Sequence, residues 1–230
     1  MNSETTQSRP EVKIRVEYSK TSQSRYIAHL DTIDVICKAL RRLQLPYAVT
    51  QGCHVRPKIS FGPPLPLGHA SYCEYFVLTL TEPVDSQALT ESLNRELPSG
   101  MRVISIINPY VETRNGNFGE KLHYRFSFTS AEIAETARQW LLNPETSFSA
   151  ESKGKTRTYA IRSAVLGASL AENDSLILEA DFIQGQADVP SVSKIVTALA
   201  GFLDAHKDYL KLIERVSLSE LKQKQEISST

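Results

Sequence analysis

Residues 12–50 read VKIRVEYSKTSQSRYIAHLDTIDVICKALRRLQLPYAVT, and a change of hydrophobic period within this stretch sets the fold. Over Val12–Tyr18 the apolar Val12, Ile14, Val16 and Tyr18 alternate with Lys13, Arg15 and Glu17, the period of two of a half-buried strand. Over Leu30–Leu43 the period becomes helical: Leu30, Ile33, Ile36 or Cys37, Leu40 and Leu43 fall on one stripe. Asp31 and Asp34 lie near the start of this helix and Lys38, Arg41 and Arg42 near its end, as the helix dipole favours. Pro46 stops the helix, and Tyr47–Thr50 reads as a short second strand.

Beyond it, Gly52 to Gly68 carries Pro57, Pro63, Pro64 and Pro66 and reads as a long loop. Tyr72–Thr81 returns to strand. Ser86–Leu97 is a helix that Ser86 can cap, with Leu89, Leu93 and Leu97 on one face, and Met101–Ile107 is a fourth strand. The order β-α-β-β-α-β predicts a ferredoxin-like layer of two helices on an antiparallel sheet.

Pro109 to Gly119 reads as a linker, after which the same order recurs. Leu122–Thr129 is a strand, Ala131–Leu142 a helix, Phe148–Ser152 and Thr158–Ile161 short strands around the basic turn Lys153-Gly154-Lys155. Ser175–Ile183 is a strand, Val192–Ala205 a helix and Leu210–Leu218 a last strand. The expectation is an α+β chain of tandem ferredoxin-like domains, 11–109 and 120–221, with 1–10 and 222–230 disordered.

Composition is that of an ordinary globular protein: 230 residues, 41% apolar and 23% charged, with 26 basic and 26 acidic residues. The N-terminus has no apolar signal core, and no run reaches the roughly eighteen apolar residues of a membrane span, so the expected compartment is the cytoplasm, with no membrane partner. Cys37, Cys53 and Cys73 form no CxxC pair and read as reduced thiols. The sequence lacks a phosphate loop, a dinucleotide-binding glycine motif, a zinc-protease motif, a nucleophile elbow and a cluster-binding cysteine run, so no cofactor or metal is expected.

Charge is uneven within this neutral chain. Between Lys20 and Lys58 seven basic residues (Lys20, Arg25, Lys38, Arg41, Arg42, Arg56, Lys58) face two acids (Asp31, Asp34). With Ser19, His29, Gln51, His54 and Ser60 they make a polar set split between the approach to the first helix and the exit from the second strand. If the long loop folds back, these groups converge into a cradle for phosphate or carboxylate oxygens. Taken singly, His29 reads as a helix-start or half-buried residue, Arg41 and Arg42 as solvated complements to the helix C-terminus, and Tyr26, Tyr47, Phe61 and Tyr75 as packing residues.

The segments RYIAHLD (25–31), ALRRLQLP (39–46) and TQGCHVRPKISF (50–61), followed by EYFVLTLTEPVD (74–85) and LNRELPSGMRV (93–103), resemble the radical-SAM-linked domain of unknown function. The likeness covers most of residues 12–110; KGKTRTYAIRSAV (153–165) resembles a second family stretch more weakly. Cys53 stands where the family has an aromatic, and Ala160 where it has an aspartate. The resemblance implies a domain fused to, or encoded beside, cobalamin-type radical-SAM proteins, and marks Arg25, His29, Asp31, Arg41, Arg42, Gln51, His54, Pro57, Lys58 and Ser60 as family-like positions.

The expected function is a non-catalytic accessory module of a radical-SAM enzyme that binds an anionic substrate, structured RNA such as tRNA or rRNA, through Lys20, Arg25, His29, Arg41, Arg42, Gln51, His54, Arg56, Lys58 and Ser60. Two alternatives stand beside it. One is a metal-independent endoribonuclease using His29 and His54 as acid and base. The other is a protein-interaction domain.

Overall fold

The computed structural model describes residues 11–51, 55–111, 120–152, 154–186, 188–203 and 210–220. The chain is of the α+β class and divides after Glu112 into two compact units. In the first, the alternating stretch forms β1 (Val12–Lys20), followed by a 3-10 turn at Ser22–Tyr26 and α1 (His29–Arg42). Then come β2 (Ile59–Phe61), β3 (Ala70–Leu80), α2 (Ser86–Glu96) and β4 (Met101–Ile107). β1 lies between β4 and β3, β2 pairs with β3, and every one of these pairings is antiparallel.

The core of this unit follows from the periodicities. Ile14, Val16 and Tyr18 of β1 and Phe76, Leu78 and Leu80 of β3 are buried with Ile36, Ala39 and Leu40 of α1 and Leu89 and Leu93 of α2. Leu30, expected on the buried stripe, is instead 76% exposed, and in the first turn of α1 Thr32 takes the buried position. The cap of α2 is Asp85 rather than Ser86: the Ala88 amide donates to Asp85 Oδ1 at 2.7 Å.

The expected second strand at Tyr47–Thr50 is reduced to two isolated bridges, Tyr47 to Leu80 and Val49 to Pro57. The strand proper lies at Ile59–Phe61, inside the segment expected to be all loop. Pro57 misled the reading: lacking an N–H it interrupts a ladder, but the chain resumes pairing immediately after it.

The second unit contains β5 (Glu120–Phe128), α3 (Ala131–Leu142), β6 (Ser147–Ser152), β7 (Lys155–Ala160), β8 (Val165–Ala171), β9 (Asp174–Gln184), α4 (Val192–Phe202) and β10 (Leu210–Glu220). Its sheet runs β10-β5-β9-β8, again with antiparallel pairings. β6 and β7 pair only with each other, as a separate hairpin. The strand neighbouring β9 is therefore β8, which the sequence reading missed; VLGASLA has no clean alternation and is rich in small residues. Tyr124, Phe126, Phe128 and Phe182 fill the core, and the buried Arg215 donates from Nε to the Tyr124 hydroxyl at 2.9 Å. Most of the expected linker, and the expected disordered ends 1–10 and 222–230, lie outside the described residues.

Gly100 is a fixed point of the first unit. Its φ is +86°, its carbonyl accepts from the Thr21 amide at 2.7 Å, and an added Cβ would stand 2.4 Å from the Thr21 carbonyl oxygen. Gly154, with φ +72°, has open space around it. Gly100→Ala is expected to destabilise the protein by about 1–3 kcal/mol and Gly154→Ala by about 1 kcal/mol, read as shifts in denaturant midpoint. Equal midpoints for the two variants would contradict the steric account.

Candidate anion-binding site

The cleft of interest is built by α1 and by residues 49–51 and 55–57, between the points where the chain leaves and rejoins the sheet edge. One edge of α1 carries His29, Ile33, Cys37 and Arg41 at successive intervals of four, so these side chains line up along the helix. Opposite them the chain leaves β3 at Ala48 and returns at Lys58. The Ala48 amide donates to the Thr79 carbonyl at 2.8 Å, the Thr79 amide to the Lys58 carbonyl at 3.0 Å, and the Lys58 amide to the Ala48 carbonyl at 2.7 Å. The neck of the detour is closed by the Thr50 amide donating to the Arg56 carbonyl at 2.9 Å and the Arg56 amide to Thr50 Oγ1 at 3.3 Å.

Between helix and detour lies a cleft of about 780 Å³. Ile33, Cys37, Tyr47, Ile59 and Phe61 give it apolar surface, Val49 and Val55 its outer wall, and Asp34, Arg41 and Arg56 its charge. The Asp34 carboxyl is held below its ordinary range first by its bond to Lys38, at 2.9 Å, with Arg41 and Arg56 adding to the effect. Burial pushes the Cys37 thiol above its ordinary value, and the pull of the same two guanidinium groups only partly opposes it. Neither Arg41 nor Arg56 is in a salt bridge among the described residues.

The other expected site residues go elsewhere. Lys20 is buried at the end of β1, its ammonium donating to the Ile27 carbonyl; burial pushes its pKa down, against the nearby Glu74. Arg25 donates to its neighbour, the Tyr26 hydroxyl, at 2.6 Å and lies over that ring. Arg42 is paired with Glu96 and Lys58 with Glu11, at 2.5 and 2.7 Å. Gln51 and Ser60 are exposed, as is Asp31. His29, the first residue of α1, meets Phe61 edge to face with ring centres 6.3 Å apart. His54 lies outside the described residues.

The loop does fold back, but its far end makes the contact: the Gly68 amide donates to the Arg25 carbonyl at 2.9 Å. Arg41 and Arg56 are the pair of expected cations that share the cleft; Lys20 and Arg25 do not line it. Asp34, Val49 and Val55 were not expected at the site. For the valines the available signal was two exposed apolar residues flanking a polar loop.

An α+β protein with a cationic, apolar-floored cleft is thus defined by fold and site. The chain belongs to the DUF2344 family, described as an uncharacterized protein conserved in bacteria, whose model matches residues 13–193 and so spans both units. No curated protein matches it. Among solved structures, the crystal structure of an unknown protein from Galdieria sulphuraria aligns at 13% identity over 93% of this chain and 100% of that one, with a TM-score of 0.28.

The thiol provides a probe of the cleft. The pH–rate profile for iodoacetamide labelling of Cys37, followed residue by residue by mass spectrometry, is expected to have its midpoint above that of a free thiol. Arg41→Ala or Arg56→Ala should move it higher still, because each cation favours the thiolate. A midpoint that falls in both variants would contradict the electrostatic reading.

Proposed function

We propose that this protein is a non-catalytic accessory module that works with a radical-SAM enzyme and binds an anionic substrate, structured RNA such as tRNA or rRNA, in the α1 cleft. The observation that carries the reading is that Arg41 and Arg56 line one cleft without salt bridges to the described carboxylates. Two guanidinium groups beside a sheltered, partly apolar surface suit a phosphate attached to a ribose and base: the forks take the oxygens, and Tyr47, Ile59 and Phe61 take the apolar body. The radical-SAM partner rests on the sequence resemblance. We further read each unit as a ferredoxin-like layer, a reading supported by the orders β4-β1-β3-β2 and β10-β5-β9-β8.

The nuclease alternative finds less support. Among the described residues no carboxylate or hydroxyl bonds the His29 ring, which stands against Phe61 rather than beside a partner for proton transfer.

The test is electrophoretic mobility of the full chain with total cellular RNA across a salt series. Arg41→Ala and Arg56→Ala are each expected to weaken binding and to flatten the slope of log K against log salt by about 0.7–0.9. Arg42→Ala and Lys58→Ala, whose cations are already paired, should change it less. Equal binding by wild type and all four variants would sink the cleft reading, and wild-type RNA cleavage lost in His29→Ala would replace it with the nuclease.

A further inference from the structure

The second unit carries an aromatic series that runs from the edge of its core to the surface. Tyr159, Phe148, Trp140 and Phe202 follow one another with ring centres 5.8, 6.3 and 5.8 Å apart and planes tilted by 32°, 37° and 29°. The Trp140–Phe202 pair is stacked and the other two pairs are tilted, all at aromatic contact distance, so the four rings form one continuous ladder. Its inner end is closed. Tyr159 is 8% exposed, and the Lys194 ammonium donates to its hydroxyl at 2.9 Å and lies 4.8 Å from its ring centre. The outer end is open, with Phe202, the last residue of α4, 53% exposed.

Beside that open end is a surface depression of about 500 Å³, lined by Trp140 and Phe202 and otherwise by polar side chains, among them Gln139, Asn143 and Glu145. The hydrogen bonds already made there determine what is left to offer. Gln139 donates its amide nitrogen to Glu135 at 2.9 Å, which leaves its Oε1 as an acceptor. Asn143 Oδ1 accepts from the Glu145 amide at 3.0 Å, which leaves its amide nitrogen as a donor. Among the described residues no lysine or arginine lines the depression, and Glu145 contributes negative charge.

We propose that this ladder end is a binding site for an unpaired nucleobase, which adds the next ring of the stack on Phe202 and Trp140 and presents its polar edge to Gln139 and Asn143. An aliphatic partner would leave that donor and acceptor unmatched, and a backbone amide would match them without adding a ring to the stack. Among the described lining residues a phosphate would meet Glu145 and no cation, so the proposed recognition is of the ring and not of the backbone. The site lies wholly within the second unit and does not rest on the cleft reading. It predicts the opposite salt behaviour: phosphate contacts weaken steeply with salt, whereas stacking and neutral hydrogen bonds do not.

Trp140 is the chain's one tryptophan, so its fluorescence reports this site directly. The full chain is titrated with hexa-adenylate at low and high salt. Concentration-dependent quenching is expected, little changed by salt or by Arg56→Ala, weakened about tenfold in Phe202→Ala and retained in Phe202→Tyr. Because Phe202 is more than half exposed, the alanine variant is expected to fold, which its circular dichroism checks. Quenching that is absent in wild type, or unchanged in Phe202→Ala, would overturn the assignment. Equal quenching by N-acetyltyrosinamide would overturn the nucleobase as occupant. Loss of quenching in Arg56→Ala would return the RNA signal to the cleft alone.

Discussion

The site in the first unit depends on how one residue of β3 spends its two backbone groups. Thr79, 4% exposed, bonds through its carbonyl to Ala48 and through its amide to Lys58, two residues separated by a nine-position excursion of chain. With Lys58 bonded in turn to Ala48, the strand edge is continuous in hydrogen bonds although the chain is not continuous in sequence. A buried amide or carbonyl at this position without a partner would cost about 1–3 kcal/mol. Satisfying both is what lets the chain leave the sheet after Ala48, carry Arg56 over α1 and return in register for Ile59 to face Leu78.

That arrangement explains which parts of the fold were legible in the sequence. β1, β4, α3 and β9 announce themselves because a single face of each is buried, and burial of one face writes period two or period 3.6 into the residues. The excursion writes nothing of the kind. Val49 and Val55 are exposed although apolar, and Pro57 signals a break where the chain makes only a detour. β8 escaped for a different reason: its residues are half-buried or exposed and mostly small, so its pairing with β9 rests on backbone bonds, which are indifferent to side-chain pattern. β6 and β7 were recognisable as strands, but strand character does not specify a partner, and they chose each other.

The charge pattern teaches the same lesson at the site. A surplus of five positive residues between Lys20 and Lys58 is a property of the one-dimensional chain, and folding divides it. Arg42 and Lys58 are neutralised by Glu96 and Glu11, acids that lie 54 and 47 positions away in sequence and were therefore invisible to a local count. Lys20 is withdrawn into the interior. What survives is narrower than the sequence suggested: two guanidinium groups on one cleft, placed there by helix periodicity in the case of Arg41 and by the Thr79 clamp in the case of Arg56.

The surroundings of the Cys37 thiol bear on what kind of anion this pair would hold under the proposed function. Two nearby cations should favour the thiolate, yet burial dominates and the thiol is pushed up. At Cys37 burial, with the Asp34 carboxylate adding to it, outweighs attraction to Arg41 and Arg56, and the lining around it includes the apolar Ile33, Ile59 and Phe61. A small, fully hydrated anion would surrender its water there for the same poor return. An anion whose charge stays at the rim with the guanidinium groups, and whose apolar body occupies the floor between Ile33, Ile59 and Phe61, avoids that loss and gains the burial of its own surface. If the cleft holds an anion as proposed, its lining suits a phosphate or carboxylate carried on a larger molecule better than the free ion, and a nucleotide within a chain meets that condition.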